Sequence, residues 1–256
     1  MKRTLIFVAL AVFAAPVLVS AQSAMSSAEP FKLGTFEISG EGDARIGIVL
    51  RDELIVELNA ANQALERAPD YPAIPMPADM RELISRYEYG LKYRLYEIVT
   101  SLVNNNRLTG RNRADFVHDV DDIRTLAPLV PRKMLNAAVN FYSHVQESGT
   151  TREEQAAAAA QRRAERGIPY LFIKPTEGAV IGQGDAVVLP YGRTRIDWEV
   201  ELATVIGRTA KYVSAEDAED YIFGYMVSLD ISDRGGRPPN SRPGSDWLVG
   251  KGHDTF

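Results

Sequence analysis

The sequence predicts a mixed α/β fold, richer in strand than in helix, with mixed sheets and flanking helices. Three observations carry that expectation. Residues 31–58 and 170–230 hold runs that alternate apolar and polar at period two, the pattern of half-buried strands. Residues 79–104 and 151–166 instead show helical spacing or helix-end signals. The composition, 45% hydrophobic and 25% charged, is ordinary for a globular chain, and 256 residues suit one large domain or one domain with an extension.

The chain opens on a secretory signal pattern. Lys2 and Arg3 form a basic start, Leu5 to Leu18 an apolar stretch broken by Pro16, and Val19-Ser20-Ala21 a small-residue cleavage site. Residues 1–21 are therefore expected to be removed on export to the periplasm or the medium, leaving no stable membrane insertion. An uncleaved anchor is the alternative, since the uncharged run approaches the ~20 residues of a membrane span. Pro16 and the small residues fit processing better. The formal net charge is −5 and no basic run exists, so nothing recommends a nucleic-acid partner. The absence of cysteine excludes disulfides and thiol chemistry.

Residues 22–30 are small and polar and read as a flexible lead-in. Residues 31–130 are expected to form a small antiparallel β unit followed by a helical segment. The strands are Phe31–Ile38, Arg45–Leu50 and Leu54–Leu58, with turn chemistry at Ser39–Asp43 and a connection at Arg51-Asp52-Glu53. After the proline-rich linker Pro72–Pro77, the apolar residues Met80, Leu83, Ile84, Tyr87, Leu91, Leu95, Ile98 and Leu102 fall on one helix face. Asp79 is placed to cap that helix, and Gly90 weakens it without abolishing the pattern. His118 lies in a charged stretch without clear period and reads as a surface histidine.

Residues 131–256 hold the chemistry. Thr151 and Glu154 make a capping-box pattern for a helix that ends at Arg166, before Gly167 and Pro169. Strands are expected at Leu171–Ile173 and, after the turn Gly182–Asp185, at Ala186–Leu189. Next comes Arg195-Ile196-Asp197-Trp198-Glu199-Val200-Glu201-Leu202, which alternates strictly and so lines three carboxylates along one face. Ser214–Tyr221 reads as a short helix, Phe223–Leu229 as a strand ending at Asp230, and Trp247–Phe256 as strand-like.

Two constellations emerge. Glu199 and Glu201 on one strand, with Asp230 from the end of the next, offer oxygen ligands suited to Mg²⁺ or Mn²⁺, with Ca²⁺ a third candidate. Zinc is less suited, because neither Cys nor a paired His accompanies them. An edge strand with a solvated acidic face is the plainer alternative. His144 and Glu147, three residues apart, share a face if their segment is helical, and a carboxylate beside an imidazole can make it a base for water. A surface ion pair accounts for the same spacing.

In order along the chain, Asn140–Glu147, Lys174-Pro175, Gly182–Pro190, Asp197–Gly207, Ser228–Arg234 and Trp247–Phe256 together resemble the fumarylacetoacetate hydrolase family. Asn140–Glu147 is similar to its Asn-Tyr-x-x-His-x-x-Glu segment, with Phe141 in the tyrosine place. The resemblance implies that family's β fold, preceded by a small N-terminal β region. It implies that Glu199, Glu201 and Asp230 hold the cation and that His144 and Glu147 activate water. It implies that Arg234 contacts the substrate and that Lys251 supports developing negative charge. The resemblance also implies a substrate contact at Arg237, which is a departure, since hydrolases of the family often carry glutamine there. Asn140 stands where some members have a fourth acidic ligand.

The activity implied is divalent-metal-dependent hydrolysis of a carbon–carbon bond in an acylpyruvate- or fumarylacetoacetate-like 2-oxo acid, with the metal stabilising an enolate. A 2-oxo acid decarboxylase, tautomerase or hydratase on the same site is the alternative. A catalytically silent exported binding protein is a second one. The partner is then a small dicarbonyl or 2-oxo acid, and the family implies a homodimer. Family members continue beyond the position of Phe256, so the expectation is that the C-terminal part of the fold is missing from this chain.

Overall fold

The computed structural model describes residues 26–38, 42–138, 140–141, 151–166, 169–235 and 247–256. Residues 1–21, His144, Glu147 and Arg237 lie outside the described residues, and so do the expectations placed on them. The fold is mixed α/β, and the chain separates into two compact units, residues 1–124 and 125–256.

In the first unit, β1 (Lys32–Glu37), β2 (Ala44–Leu50) and β3 (Leu54–Glu57) form the expected antiparallel meander. With β4 (Val117–Asp119) and β5 (Arg124–Thr125) they make a sheet in the order β4–β3–β2–β1–β5. The β2–β3 turn puts Arg51 and Asp52 in the left-handed region, at φ 59° and 60°, which matches the twist of a tight hairpin. Ile48, Leu50, Ile55 and Val56 are fully buried on this sheet.

Helix α1 (Leu58–Leu65) follows β3 directly and was not among the expected elements. It buries Leu58, Ala61, Asn62 and Leu65, a spacing of three and four. The expected helix from Asp79 is two helices, α2 (Met80–Arg86) and α3 (Lys92–Asn104). Between them Tyr87–Leu91 forms a wide turn in which Gly90 takes φ 108°. That value lies in the region open chiefly to glycine, so Gly90 breaks the helix outright. Asp79 caps as expected: the Glu82 backbone N–H donates to its Oδ1 at 2.9 Å. That bond holds the Asp79 carboxyl below the usual range. His118 sits half-buried in β4, paired with Ile55, rather than on the open surface.

In the second unit, β6 (Leu135–Ala137) pairs with β7 (Leu171–Ile173). Helix α4 (Arg152–Arg166) has the predicted box: the Thr151 N–H donates to Glu154 Oε2 at 2.9 Å and the Glu154 N–H to Thr151 Oγ1 at 3.3 Å. The turn at Gly182–Asp185 forms, and a side chain at Gly182 would meet the Ala127 backbone nitrogen at 2.6 Å. Ala186–Leu189 is not a paired strand; the Val188 N–H donates to Thr255 Oγ1 at 2.8 Å instead. Ser214 and Asp217 bond reciprocally, but only the 3₁₀ turn Ala218–Tyr221 follows. Trp247–Lys251 is a short helix, α5, rather than a strand.

The acidic octet forms β8 (Ile196–Asp197) and β9 (Val200–Ile206). Its partners are β11 (Ser232–Asp233) and β10 (Ile222–Leu229). One antiparallel register runs through both pairs. Ser228 faces Glu201, Leu229 faces Val200, the Asp230 N–H donates to Glu199 O at 2.8 Å, and Ser232 faces Asp197. This ladder positions the site.

Candidate metal centre

Period two and the common register decide which side chains meet. Asp197, Glu199 and Glu201 point to one face of their strand, and Asp230 and Ser232 point to the same face from across the ladder. Asp230 is the cross-strand neighbour of Glu199, and Glu201 stands one step further along. One carboxylate oxygen from each of Glu199, Glu201 and Asp230 lies within 4.8 Å of the others. These are the three carboxylates that the alternation and the strand end singled out.

The faces are the reverse of an ordinary half-buried strand. The carboxylate side is the covered one, with Asp230 only 5% exposed. The apolar side, which carries Val200, Leu202, Tyr225, Val227 and Leu229, is exposed, Val227 at 77%. Buried carboxylates need charge partners and hydrogen bonds, and the neighbouring elements supply both.

Lys251, the last residue of α5, donates through Nζ to Glu199 Oε1 at 2.9 Å, to Ser232 Oγ at 2.6 Å and to Asp230 Oδ2. Lys174, just past β7 and 2% exposed, donates to Asp230 Oδ1 at 2.8 Å and to the Ile231 carbonyl at 3.0 Å. Burial pushes the Lys174 ammonium below the usual lysine range, against the pull of Asp230. Arg234 Nη2 lies 2.6 Å from Glu199 Oε1 and donates to Asp197 Oδ2 at 2.8 Å. The Arg234 hydrogen bonds hold the Asp197 carboxyl below the usual range. Ser232 Oγ donates to Glu199 Oε1 at 2.6 Å.

Aromatic packing sets the position of Lys251. Trp247, at the start of α5, stacks on Phe172 of β7 with centroids 4.5 Å apart and planes 7° from parallel. Its indole N–H donates to the Tyr170 hydroxyl at 2.8 Å. The Lys251 ammonium lies 5.0 Å from the Phe172 ring centre, within reach of a cation–π contact. Gly250 lets α5 approach β11 closely, since a Cβ there would stand 3.2 Å from the Asp233 carbonyl oxygen. A cleft of about 220 Å³ opens beside Ser232, Arg234, Trp247 and Lys251.

The structure thus brings Glu199, Glu201, Asp230, Arg234 and Lys251 together. Asp197 takes part through Arg234. Lys174 and Ser232 are participants that the sequence reading did not assign. A lysine closing an apolar strand was the visible signal for Lys174, and the period-two offset from Asp230 was the signal for Ser232. The donor set fits a hard divalent cation: three carboxylates converge, all oxygen, with no sulfur and no imidazole among the described residues of the cluster.

Residues 133–256 match the fumarylacetoacetate (FAA) hydrolase C-terminal family. The matched stretch holds Glu199, Glu201, Asp230, Arg234 and Lys251. The mitochondrial oxaloacetate tautomerase of Xenopus laevis is 29% identical over 233 residues, covering 90% of this chain and 60% of its own length. An uncharacterized protein of Pyrococcus abyssi is 40% identical over 126 residues, 49% of this chain and 50% of that protein. The chain therefore spans one half to three fifths of the length of these relatives. Among solved structures, maleylpyruvate hydrolase from Sphingobium sp. SYK-6, in complex with manganese(II) ion and pyruvate, superposes with a TM-score of 0.54 at 26% identity. That alignment covers 88% of this chain and 63% of the hydrolase. The mixed α/β fold class is that of these neighbours.

Proposed function

We propose that the chain carries the metal centre of a divalent-metal-dependent enzyme acting on a 2-oxo acid, and that its reaction is hydrolysis of a carbon–carbon bond in an acylpyruvate-like substrate. The observation that carries this reading is the convergence of Glu199, Glu201 and Asp230 on one sheet face, with the Lys251 ammonium and the Arg234 guanidinium beside them. The family match and the manganese- and pyruvate-bound neighbour support it.

Glu199, Glu201 and Asp230 would hold Mg²⁺ or Mn²⁺, with Ca²⁺ as a third candidate. Bound there, such an ion would supply Lewis-acid polarisation of the 2-oxo acid oxygens. Arg234, which lines the cleft, would bind a substrate carboxylate. Lys251 offers positive charge where an oxyanion develops, and such charge counts for more in a covered site than in water. His144 and Glu147 are proposed to activate the attacking water, the imidazole taking the proton and the carboxylate orienting the ring. Arg237 is proposed as a second substrate contact. Export, and a homodimer as the working form, complete the proposal.

A second reading, tautomerase, is favoured by the likeness to the oxaloacetate tautomerase over 90% of the chain. It shares the metal centre and needs no attacking water. The test is turnover of an acylpyruvate and of oxaloacetate, measured with and without Mn²⁺, for the native chain, Glu201→Ala and His144→Ala. Hydrolysis is expected to be Mn²⁺-dependent and lost in both variants. Enol–keto conversion that survives His144→Ala, with no hydrolysis by any form, selects the tautomerase. Metal-dependent turnover that persists in Glu201→Ala overturns the metal centre.

A further inference from the structure

Lys251 occupies an unusual place for a residue that is to meet a substrate. An ammonium has three N–H donors. Here they go to Glu199 Oε1, Ser232 Oγ and Asp230 Oδ2, with the side chain 6% exposed. Two of those acceptors belong to the cation ligands themselves. The ammonium therefore bridges the carboxylates between which a divalent ion would sit.

Lys174 is arranged differently. Among the described residues its hydrogen bonds go to Asp230 Oδ1 and to the Ile231 carbonyl. Its contacts fix one ligand against the main chain; those of Lys251 span the gap between two ligands. A divalent ion approaches carboxylate oxygens to roughly 2.0–2.6 Å. A like charge held at hydrogen-bond distance from the same two groups competes with it directly.

We infer that Lys251 is the built-in counter-ion of the metal-free centre, and that the arriving cation displaces its ammonium from Glu199 and Asp230 toward the cleft. The rings that flank the ammonium can keep it once the carboxylates let go: the Phe172 ring centre lies 5.0 Å from Nζ and the Trp247 ring centre 6.0 Å, and aromatic faces hold an ammonium. The cleft lined by Lys251, Trp247 and Arg234 opens on that side. Cation loading is then the event that presents Lys251 to the substrate, which imposes an order: ion first, 2-oxo acid second. Lys174 is a positioning residue that stays on Asp230 in both states.

This inference rests on the metal centre proposed above, and calorimetric titration of the full chain with Mn²⁺ separates the two. Lys251→Met keeps the length of the side chain and removes the charge. The variant is expected to bind Mn²⁺ about tenfold or more tightly than the native chain, because a competing buried charge is gone. It is also expected to unfold at a lower temperature without metal and to gain more from Mn²⁺ than the native chain does. Lys174→Met, which leaves the contacts spanning the two ligands intact, is expected to raise Mn²⁺ affinity less than Lys251→Met does, and an equal or larger gain overturns the distinction between the two lysines. A folded Lys251→Met that binds equally or more weakly, while the native chain binds Mn²⁺, overturns the exchange and leaves the metal centre standing. A native chain that binds no Mn²⁺ overturns both. Should the variant fail to fold, amine acetylation of the native chain read by mass spectrometry decides: Lys251 is expected to label faster with Mn²⁺ than without. Unchanged or slower labelling overturns the exchange.

Discussion

The β1–β3 meander and the β9–β10 hairpin are both antiparallel and both alternate, yet they sort their faces oppositely. On the meander, apolar residues such as Ile48 and Ile55 are buried, and charged residues such as Lys32 and Asp52 pair at the surface. On the hairpin the carboxylates are covered and the aliphatic residues are exposed. Area removed from water stabilises the first arrangement directly. The second brings charge together and holds it with three cationic side chains, which is costly unless every partner is in place. The alternation itself is the same in both; which face is covered depends on what the other elements bring.

The meander gives the largest expected change. Leu50 is fully buried, and Leu50→Ala should cost about 2–5 kcal/mol of unfolding free energy in urea or thermal titration, through lost burial and a cavity. A loss well under 1 kcal/mol would mean that this sheet is not the rigid partner in the comparison.

A smaller effect contrasts two carboxylates. Asp230 is held by lysines, whereas exposed Asp79 is held by the backbone of its own helix. Asp79→Ala should cost about 1 kcal/mol, the usual worth of an N-cap. The sign of the pH dependence follows from the lowered pKa of Asp79. The unfolded chain binds the proton more tightly, so this stabilisation is present above the unfolded value of 3.8 and is lost as pH falls through the folded pKa. Acid titration of the native chain against Asp79→Ala checks it; a cap contribution that grows as pH falls contradicts the assignment.

The smallest effect lies on the hairpin's exposed face. Val227→Thr should change the stability of this chain by no more than about 0.5 kcal/mol, as surface substitutions do. A loss of 2 kcal/mol or more would mean that this face is covered in solution, and the contrast with the meander would vanish.

Glu199, Glu201 and Asp230 were legible because spacing by two along a strand and position at the end of its hairpin partner are local facts, and the register turns them into proximity. Lys174 and Ser232 are harder to read, because a lysine closing an apolar strand and a serine two residues after Asp230 are local marks that do not name the carboxylate each meets, for Lys174 one 56 residues later. The α1 helix was missed although Leu58, Ala61 and Leu65 show its spacing, since it begins where β3 ends, with no side-chain capping bond. In the sequence Gly90 reads as a propensity cost, whereas its positive φ makes it a break. Trp247–Lys251 reads as apolar and extended; stacking on Phe172 and close approach at Gly250 hold it as a helix, and neither contact is visible in one dimension.

The Phe172–Trp247 stack also makes the centre readable by light. The sequence holds two tryptophans. Trp198 stands on the exposed side of the hairpin, while Trp247 lies with its ring centre 6.0 Å from the Lys251 ammonium. Indole emission follows the electric field across the ring, so a charge that moves at that distance changes its colour. Trp198 supplies a solvent-exposed background against which the change is seen. The residue that fixes the lysine is thereby a native chromophore for the state of the carboxylates beneath it.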